Sequence, residues 1–274
     1  MTMIGFTRPI ERLKDSIKEA EEMGFDVIAA PSMKIISGDK EEFERARHIL
    51  LSGTASFAVF GSVTAVEECI KAYGEDFVRL FSKVKIIPIG PSTGNALKSA
   101  GISTDALPEE FSSSGIVDLL KDSVKGKTVL LMRSDSGSDV LYNGLRAAGA
   151  ETVSVATYKL EEFGISSALL HLITAIKGGK IDVMAFTSPL SAKIFYSQIR
   201  DMAGNDATVE MMGRLKVAAI GGPTSEALRL LGREPDIMPK DSTFHDLLEA
   251  IASESGIVRK TAYDRCPGQI QGDE

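Results

Sequence analysis

One strand-turn-helix sequence occurs twice in this chain, and the repetition strongly limits how the chain can fold. The first copy is "IPIGPSTGNALKSAG", near residue 90, and the second is "VAAIGGPTSEALRLLG", near residue 220. The matching landmarks Gly90, Thr93, Gly101 and Pro108 have counterparts 131 positions later at Gly221, Thr224, Gly232 and Pro239. A period of this length exceeds that of a solenoid repeat, so it predicts two copies of one domain-sized unit.

Short apolar runs alternate with amphipathic stretches along both copies. The runs are "MIGFT", "DVIAA", "FAVFG", "VKIIPIG", "TVLLM", "TVSVA", "DVMAF" and "KVAAI". Continuous apolar character and β-branched residues are typical of strands buried on both faces. Helical stretches between them end at Gly24 and Gly149, as glycine C-terminal caps do. The pattern predicts an α/β fold with parallel strands and right-handed crossovers.

Composition and charge exclude several classes of function. The net charge of −7 and the absence of a Lys/Arg stripe argue against nucleic acid as a partner. No apolar run approaches the roughly 20 residues of a membrane span. The start "MTMIGFTRPIERL" lacks a signal pattern, so a cytoplasmic location is expected. Cys69 and Cys266 are expected to be a buried thiol and a tail thiol.

Known chemical motifs are absent or incomplete. Gly126-Lys127-Thr128 resembles the end of a phosphate-binding loop, but a strand follows it instead of a helix. No G-x-G-x-x-G follows a strand, and the three histidines are scattered, so neither a nucleotide cofactor nor a metal is expected.

Hydroxyl residues follow several predicted strands: Ser62, Thr93, Ser188 and Thr224. Such a residue can cap the next helix. The helix start itself presents free amide hydrogens and a positive dipole end, which together bind anions. The residues are therefore either helix caps alone or part of an anion site, and their paired occurrence favours a ligand shared by both copies.

Tyr158 ends the strand "TVSVATYKLEE". A phenol at the end of a strand could donate a hydrogen bond to a leaving group. The alternative is an amphipathic tyrosine at an interface.

The ordered motifs resemble the uroporphyrinogen-III synthase family. They are "TRP…G" from Thr7 to Gly24, "FGS" at Ser62, "IGPST…AL…G", "LLMRSDSG…L…L…GA" leading to "VATY", "FTSP", and "AIGGPTSEAL…G". The resemblance runs from about Met3 to about residue 255. The tail "TAYDRCPGQIQGDE" lies outside it and is predicted to be polar and poorly ordered.

The resemblance implies an activity and a set of site residues. Members of the family cyclise the linear tetrapyrrole hydroxymethylbilane to uroporphyrinogen III, inverting the last pyrrole ring and losing water, without a cofactor or metal. The family's tyrosine falls on Tyr158, as the group that assists departure of the hydroxyl. The substrate's carboxylates are expected at Ser62, Gly90, Thr93, Ser188, Gly221 and Thr224. Arg8 is a further candidate for a carboxylate contact, or it braces the sheet.

The repeat alone suggests tandem halves near 1–125 and 126–258, but the resemblance implies an interleaved arrangement of two flavodoxin-like domains. We expect residues 1–34 and 163–258 to form domain 1, residues 35–162 domain 2, and residues 259–274 a polar tail. The segments 31–38 and 157–164 are expected to be the two connecting strands.

Other expectations follow from the same resemblance. The protein is expected to be a monomer that acts on a small molecule, with hydroxymethylbilane synthase as the upstream donor. Two α/β lobes also suit a non-catalytic intracellular sensor or binding protein, which stays open as an alternative. A nucleotide-sugar transferase is disfavoured, because neither a nucleotide motif nor an acidic metal pair is present.

Overall fold

The computed structural model of the chain describes residues 2–255. Within that range it contains eight strands and twelve helices that largely alternate. The strands are β1 (Met3–Pro9), β2 (Asp26–Ser37), β3 (Ala55–Phe60), β4 (Lys85–Pro88), β5 (Thr128–Ser134), β6 (Glu151–Glu162), β7 (Val183–Phe186) and β8 (Lys216–Ala219).

The helices lie between the strands and after the last of them. They are α1 (Ile10–Glu22), α2 (Lys40–Leu51), α3 (Val63–Tyr73), α4 (Asp76–Phe81), α5 (Pro91–Ser99), α6 (Ser113–Leu120), α7 (Asp139–Ala147), α8 (Ser167–Lys177), α9 (Pro189–Ala203), α10 (Asn205–Gly213), α11 (Gly222–Leu230) and α12 (Phe244–Ser255). No helix of the described range is both long enough and apolar enough to cross a membrane.

The described chain divides into two compact units. The segment Ile35–Glu161 forms unit 2, and the described residues before and after it form unit 1. Strands β2 and β6 each begin in one unit and end in the other. The tail expected at 259–274 and Cys266 lie outside the described residues.

Each unit is built on parallel strands. In unit 1 the order is β2-β1-β7-β8, and in unit 2 it is β4-β3-β5-β6, with every neighbouring pair in these two series parallel. The prediction of an α/β fold with parallel strands and flanking helices is therefore confirmed.

Both faces of the strands are buried, which explains why the sequence shows continuous apolar runs instead of alternation. In β3, Phe57 and Val59 pack into one core cluster while Ala58 and Phe60 pack into the cluster on the opposite face. Strand β7 of unit 1 likewise places Val183 and Ala185 in one cluster and Met184 and Phe186 in another. Helices cover both faces, as parallel strands require.

The duplication seen in the sequence reappears as matching hydrogen bonds. The amide of Ile86 donates to Asp105 Oδ2 at 2.8 Å, and the amide of Val217 donates to Asp236 Oδ2 at 2.7 Å. The second pair lies 131 positions after the first. The two copies therefore share local structure as well as sequence landmarks.

The two predicted C-terminal glycine caps also match. Gly24 has φ +90° and Gly149 has φ +87°, a left-handed conformation that side chains disfavour. The helices before them, α1 and α7, end where the sequence predicted.

Candidate functional site

Helix α5 begins directly after strand β4, at the carboxyl edge of unit 2. Gly90 is its N-cap and Pro91 occupies the first helical position. The amide of Gly94 donates to the Gly90 carbonyl at 3.0 Å, which closes the first turn. The earlier amides of such a turn have no partner within the helix, so they are available to an anion.

Helix α11 begins in the same way after β8 in unit 1. Gly221 is the N-cap, and Pro223 lies in the first turn. The Gly221 carbonyl accepts hydrogen bonds from the amides of Thr224 at 3.1 Å and Ser225 at 3.0 Å. The repeated sequence thus forms the same glycine-capped helix start in each unit.

Thr93 and Thr224 lie inside these first turns and do not cap them. They are 3% and 2% exposed, and a glycine occupies each N-cap position. The interpretation of these two threonines as helix caps is therefore wrong. The reason is local: a glycine-proline start places the cap before the proline, and the threonine then falls within the helix.

Ser62 and Ser188 are N-caps, as the sequence allowed. Ser62 Oγ accepts the Ala65 amide at 3.1 Å at the start of α3. Ser188 Oγ accepts the Ser191 amide at 3.0 Å, and Ser191 Oγ accepts the Ser188 amide at 3.2 Å. The second arrangement is a reciprocal capping box, which satisfies an amide at each end of the turn.

Tyr158 lies near the end of β6 and is buried. Its phenolic oxygen lies 3.0 Å from Ser62 Oγ, and either oxygen can be the donor. Because Ser62 Oγ already accepts the Ala65 amide, its own proton can be donated to Tyr158. In that orientation the phenol keeps its proton for a third group.

Strand pairing in unit 2 explains how residues so distant in sequence meet. β5 lies between β3 and β6, and all three run parallel. The Gly61 amide donates to the Met132 carbonyl at 3.0 Å, which extends the β3–β5 pairing to the residue before Ser62. A register shift follows Arg133, so that Tyr158 pairs with Ser134.

Arg8 lies near the end of β1 in unit 1 and packs among helices. Its Nη1 donates to Ser16 Oγ at 2.8 Å, and its guanidinium carbon lies 4.6 Å from the centre of the Phe244 ring. Its Nε is buried without a hydrogen-bond partner among the described residues. Burial and the charge of Arg12 lower the pKa of Arg8 to about 10, although the charge of Glu19 acts in the opposite direction.

Arg133 lies 125 positions after Arg8 and, like it, follows an apolar strand and precedes a helix, but its role is different. Its guanidinium donates to the carbonyls of Ser134, Gly137 and Ser138. It therefore holds the loop before α7, whereas α1 follows Pro9 directly and needs no such support. The similarity of the two arginines in sequence does not extend to their contacts.

Phe111 is a residue of this region that the sequence analysis missed. A Cβ atom on Gly90 would lie 3.3 Å from Phe111 Cβ, so the phenylalanine rests directly on the N-cap of α5. Ser242 occupies the corresponding place in unit 1, because a Cβ atom on Gly221 would lie 2.4 Å from its Oγ. The 131-residue offset between them is the sequence signal that could have found both.

Within residues 2–255 no group of three or more His, Cys, Asp or Glu side chains could hold a metal ion.

A sizeable cavity exists in unit 1, lined by Lys177, Asp182 and Arg214. It lies at the amino ends of β7 and β8. Ligands of open α/β sheets bind at the opposite edge, outside the carboxyl ends of the strands.

The fold and its paired helix starts define a duplicated α/β protein with anion-binding potential at the carboxyl edge of each unit. The family model of uroporphyrinogen-III synthase HemD matches residues 14–249. The chain belongs to this family, as the sequence motifs predicted.

Individual relatives agree with this assignment over nearly their full length. A relative from Methanothermobacter thermautotrophicus, described as a putative uroporphyrinogen-III synthase, is 28% identical over 253 residues, covering 91% of this chain and 97% of its own. The uroporphyrinogen-III synthase of Chlorobaculum parvum is 23% identical over 256 residues, covering 92% and 98%.

Solved structures of the same family share the fold. A mutant uroporphyrinogen III synthase from Thermus thermophilus gives a TM-score of 0.68 at 20% identity, covering 93% of this chain and 99% of its own. The uroporphyrinogen-III synthetase of Helicobacter pylori gives 0.57 at 12% identity, covering 93% and 100%. At these identities the likeness concerns the fold alone.

Proposed function

We propose that this protein is a uroporphyrinogen-III synthase. It converts hydroxymethylbilane to uroporphyrinogen III, with inversion of the last pyrrole ring and loss of water, as a step of tetrapyrrole biosynthesis. The observation that carries the proposal is the family match across residues 14–249. The hydrogen-bonded Ser62 and Tyr158 at a strand end supply a group suited to the chemistry.

The helix starts bind the substrate's carboxylates in this proposal. The glycine cap of α5 leaves the first-turn amides before Gly94 without an intrahelical partner, and that of α11 leaves the Gly222 amide, because Thr224 and Ser225 already donate to the Gly221 carbonyl. The positive dipole end of each helix favours negative charge. Gly90 and Thr93 contribute in unit 2, and Ser188, Gly221 and Thr224 contribute in unit 1. Arg8 adds a carboxylate contact through its charged guanidinium.

Tyr158 is the proton donor. Its phenol gives a proton to the leaving hydroxyl, the carbon–oxygen bond breaks, and water departs from a cation that the pyrrole nitrogen stabilises. The substituted carbon of the last ring then attacks this cation to form a spiro intermediate. The bond from that carbon to its original methylene bridge breaks, which leaves a second pyrrole-stabilised cation on the bridge, and the unsubstituted carbon of the last ring attacks it to close the inverted macrocycle. The proton released when the rearranged ring regains its aromatic system restores the phenol, so the overall reaction loses only water.

Orientation is the larger part of catalysis. The open-chain substrate can also cyclise without help at the unsubstituted carbon, which gives the uninverted type I product. The protein must therefore hold the chain so that the substituted carbon is attacked first. A tenfold preference requires only about 1.4 kcal/mol, which a few hydrogen bonds to carboxylates can supply.

Units 1 and 2 correspond in this proposal to the two domains of the enzyme, and β2 and β6 to its connecting strands. The protein acts in the cytoplasm as a monomer, and it receives hydroxymethylbilane from hydroxymethylbilane synthase.

The test supplies the purified protein with freshly made hydroxymethylbilane. Products are oxidised to porphyrins, and the type III and type I isomers are quantified by chromatography. We expect mostly type III product, against type I in a reaction without protein. Type I product alone, at the uncatalysed rate, would exclude the synthase and favour a binding protein.

A further inference from the structure

The turns that precede α6 and α12 are structurally equivalent. In unit 2 the Ser112 amide donates to the Glu110 carbonyl at 2.8 Å, and in unit 1 the Thr243 amide donates to the Asp241 carbonyl at 2.9 Å. The two bonds are 131 residues apart, the same offset as between the glycine caps.

The residues that follow these turns confirm the match. Ser112 Oγ accepts the Gly115 amide at 3.1 Å, and Thr243 Oγ1 accepts the Asp246 amide at 3.0 Å. The middle residue of each turn is therefore the same structural position, occupied by Phe111 in unit 2 and by Ser242 in unit 1.

The same position carries opposite chemistry in the two units. Phe111 is 50% exposed although it is a large apolar side chain, and Ser242 presents a small hydroxyl. Both side chains lie against the N-cap glycine of the neighbouring helix. The start of α5 is thus next to an aromatic side chain, and the start of α11 is next to a hydroxyl group.

We propose that Phe111 is a substrate-binding residue that packs against a pyrrole ring whose carboxylate arm binds at the start of α5. This inference rests on the proposed function, because it takes the tetrapyrrole as the ligand. A pyrrole ring carrying acetate and propionate arms needs an apolar surface and an anion site within a few ångströms of each other. Phe111 and the first turn of α5 supply that combination, since the ring begins directly above Gly90.

Single exposed apolar side chains are common on protein surfaces and need no ligand to explain them. The contact with Gly90 distinguishes Phe111 from the others in unit 2. Leu51, at the end of α2, is 59% exposed and lies in the same unit, so it is a matched control for the loss of an exposed apolar group.

The first test compares steady-state kinetics of Phe111→Ala, Phe111→Ser and Leu51→Ala. The second variant places the residue of the unit 1 copy in unit 2. We expect both Phe111 variants to raise KM for hydroxymethylbilane about two- to tenfold, the range of one aromatic contact, and Leu51→Ala to leave it unchanged. Unchanged KM in both Phe111 variants, with wild-type thermal midpoints, overturns the inference.

The second test reads contact without turnover. The chain contains no tryptophan and five tyrosines, so Phe111→Trp and Leu51→Trp each introduce a single tryptophan, whose emission is excited selectively at wavelengths that tyrosine does not absorb. The probe is uroporphyrinogen III kept reduced under argon. Its pyrroles are not conjugated with one another, so it lacks the long-wavelength absorption by which a porphyrin would quench tryptophan emission. A saturable change in emission for Phe111→Trp alone supports contact between residue 111 and the tetrapyrrole. An equal change in both variants, or no change in Phe111→Trp, refutes it.

These outcomes are separable from failure of the proposed function. A wild-type protein that makes no type III product refutes the synthase. An active wild-type protein whose Phe111 variants match it in KM, with no emission change at position 111, refutes the role of Phe111 alone.

Discussion

The side-chain oxygen of Ser62 lies 3.0 Å from the phenolic oxygen of Tyr158, although the two residues are 96 positions apart. The same serine oxygen accepts the Ala65 amide and so fixes the start of α3. A helix cap and the proposed proton donor therefore share one hydroxyl group. The position of the phenol depends on the structure of that helix start.

Replacing Tyr158 with Phe should lower turnover about 100-fold or more, because the leaving hydroxyl loses its proton donor. The measurement is kcat for type III product, with circular dichroism to verify the fold. Tyr142→Phe is the matched control, since Tyr142 is another phenol of unit 2 that accepts a hydrogen bond from Arg146 at 3.1 Å. Full turnover by Tyr158→Phe would end the assignment of this residue as the donor.

The variants Ser62→Ala and Ser166→Ala should each lower the free energy of unfolding by about 1 kcal/mol, because each removes an N-cap hydrogen bond, to the Ala65 amide in α3 and to the Leu169 amide in α8. Chemical denaturation measures this loss. Only Ser62→Ala should also lower kcat through the position of Tyr158, whereas Ser62→Thr keeps a hydroxyl and should restore it. Equal effects of the two alanine variants on kcat would contradict a positioning role for Ser62.

The variant Arg8→Met tests whether Arg8 binds substrate or braces unit 1. Burial lowers the pKa of Arg8 to about 10, so the charged guanidinium costs folding free energy at every pH below that value. Methionine keeps the packing on Phe244 and removes this cost, so thermal stability should hold or rise. KM should rise about tenfold if a carboxylate contact is lost. If Arg8→Met lowers thermal stability and leaves KM unchanged, the role of Arg8 is to stabilise the packing of unit 1 and not to bind substrate.

The pH dependence of stability gives a second check on Arg8. The native pKa lies below the ordinary guanidinium value, so the unfolded chain binds more protons above about pH 10. The free energy of unfolding of the wild type should therefore rise relative to Arg8→Met as the pH increases from about 10. Parallel curves for the two proteins would contradict the lowered pKa.

In a Cys266→Ser background, Cys69 should resist alkylation until the protein unfolds. Its thiol is buried, and burial and the neighbouring Glu68 charge raise its pKa well above the ordinary value, so little thiolate forms. Mass spectrometry after iodoacetamide treatment, with and without denaturant, measures the protection. Rapid labelling of native protein would show that α3 opens easily.

The sequence predicted the parallel α/β fold because buried strands leave a continuous apolar run, and it predicted the copies because their glycines recur. Gly24 and Gly149 were identifiable as helix ends, since a left-handed cap selects glycine. The family was identifiable from short motifs in a fixed order. These features can be read from residue types and their order along the chain, without knowing which distant residues are in contact.

Other features depend on contacts that sequence spacing does not reveal. The Ser62–Tyr158 pair arises from the order of β3, β5 and β6, and no local motif encodes a hydrogen bond across three strands. Thr93 and Thr224 were interpreted as possible caps because threonine often is one, but the preceding glycines take that position. Phe111 was missed because its counterpart 131 positions later is Ser242, so the repeat does not show itself there as a recurring residue type.

The interruption of unit 1 by unit 2 sets an order of events during protein synthesis. All four strands that unit 2 pairs in parallel are translated in one continuous stretch, so it can fold while the ribosome still makes the rest. Strand β1 must wait for β7, whose preceding residue Asp182 accepts the amide of Met3 across 179 positions. The edge of β1 that pairs with β7 therefore stays unpaired until Val183–Phe186 has been made, and variants that slow elongation before Val183 should leave that edge open to proteases and chaperones for longer.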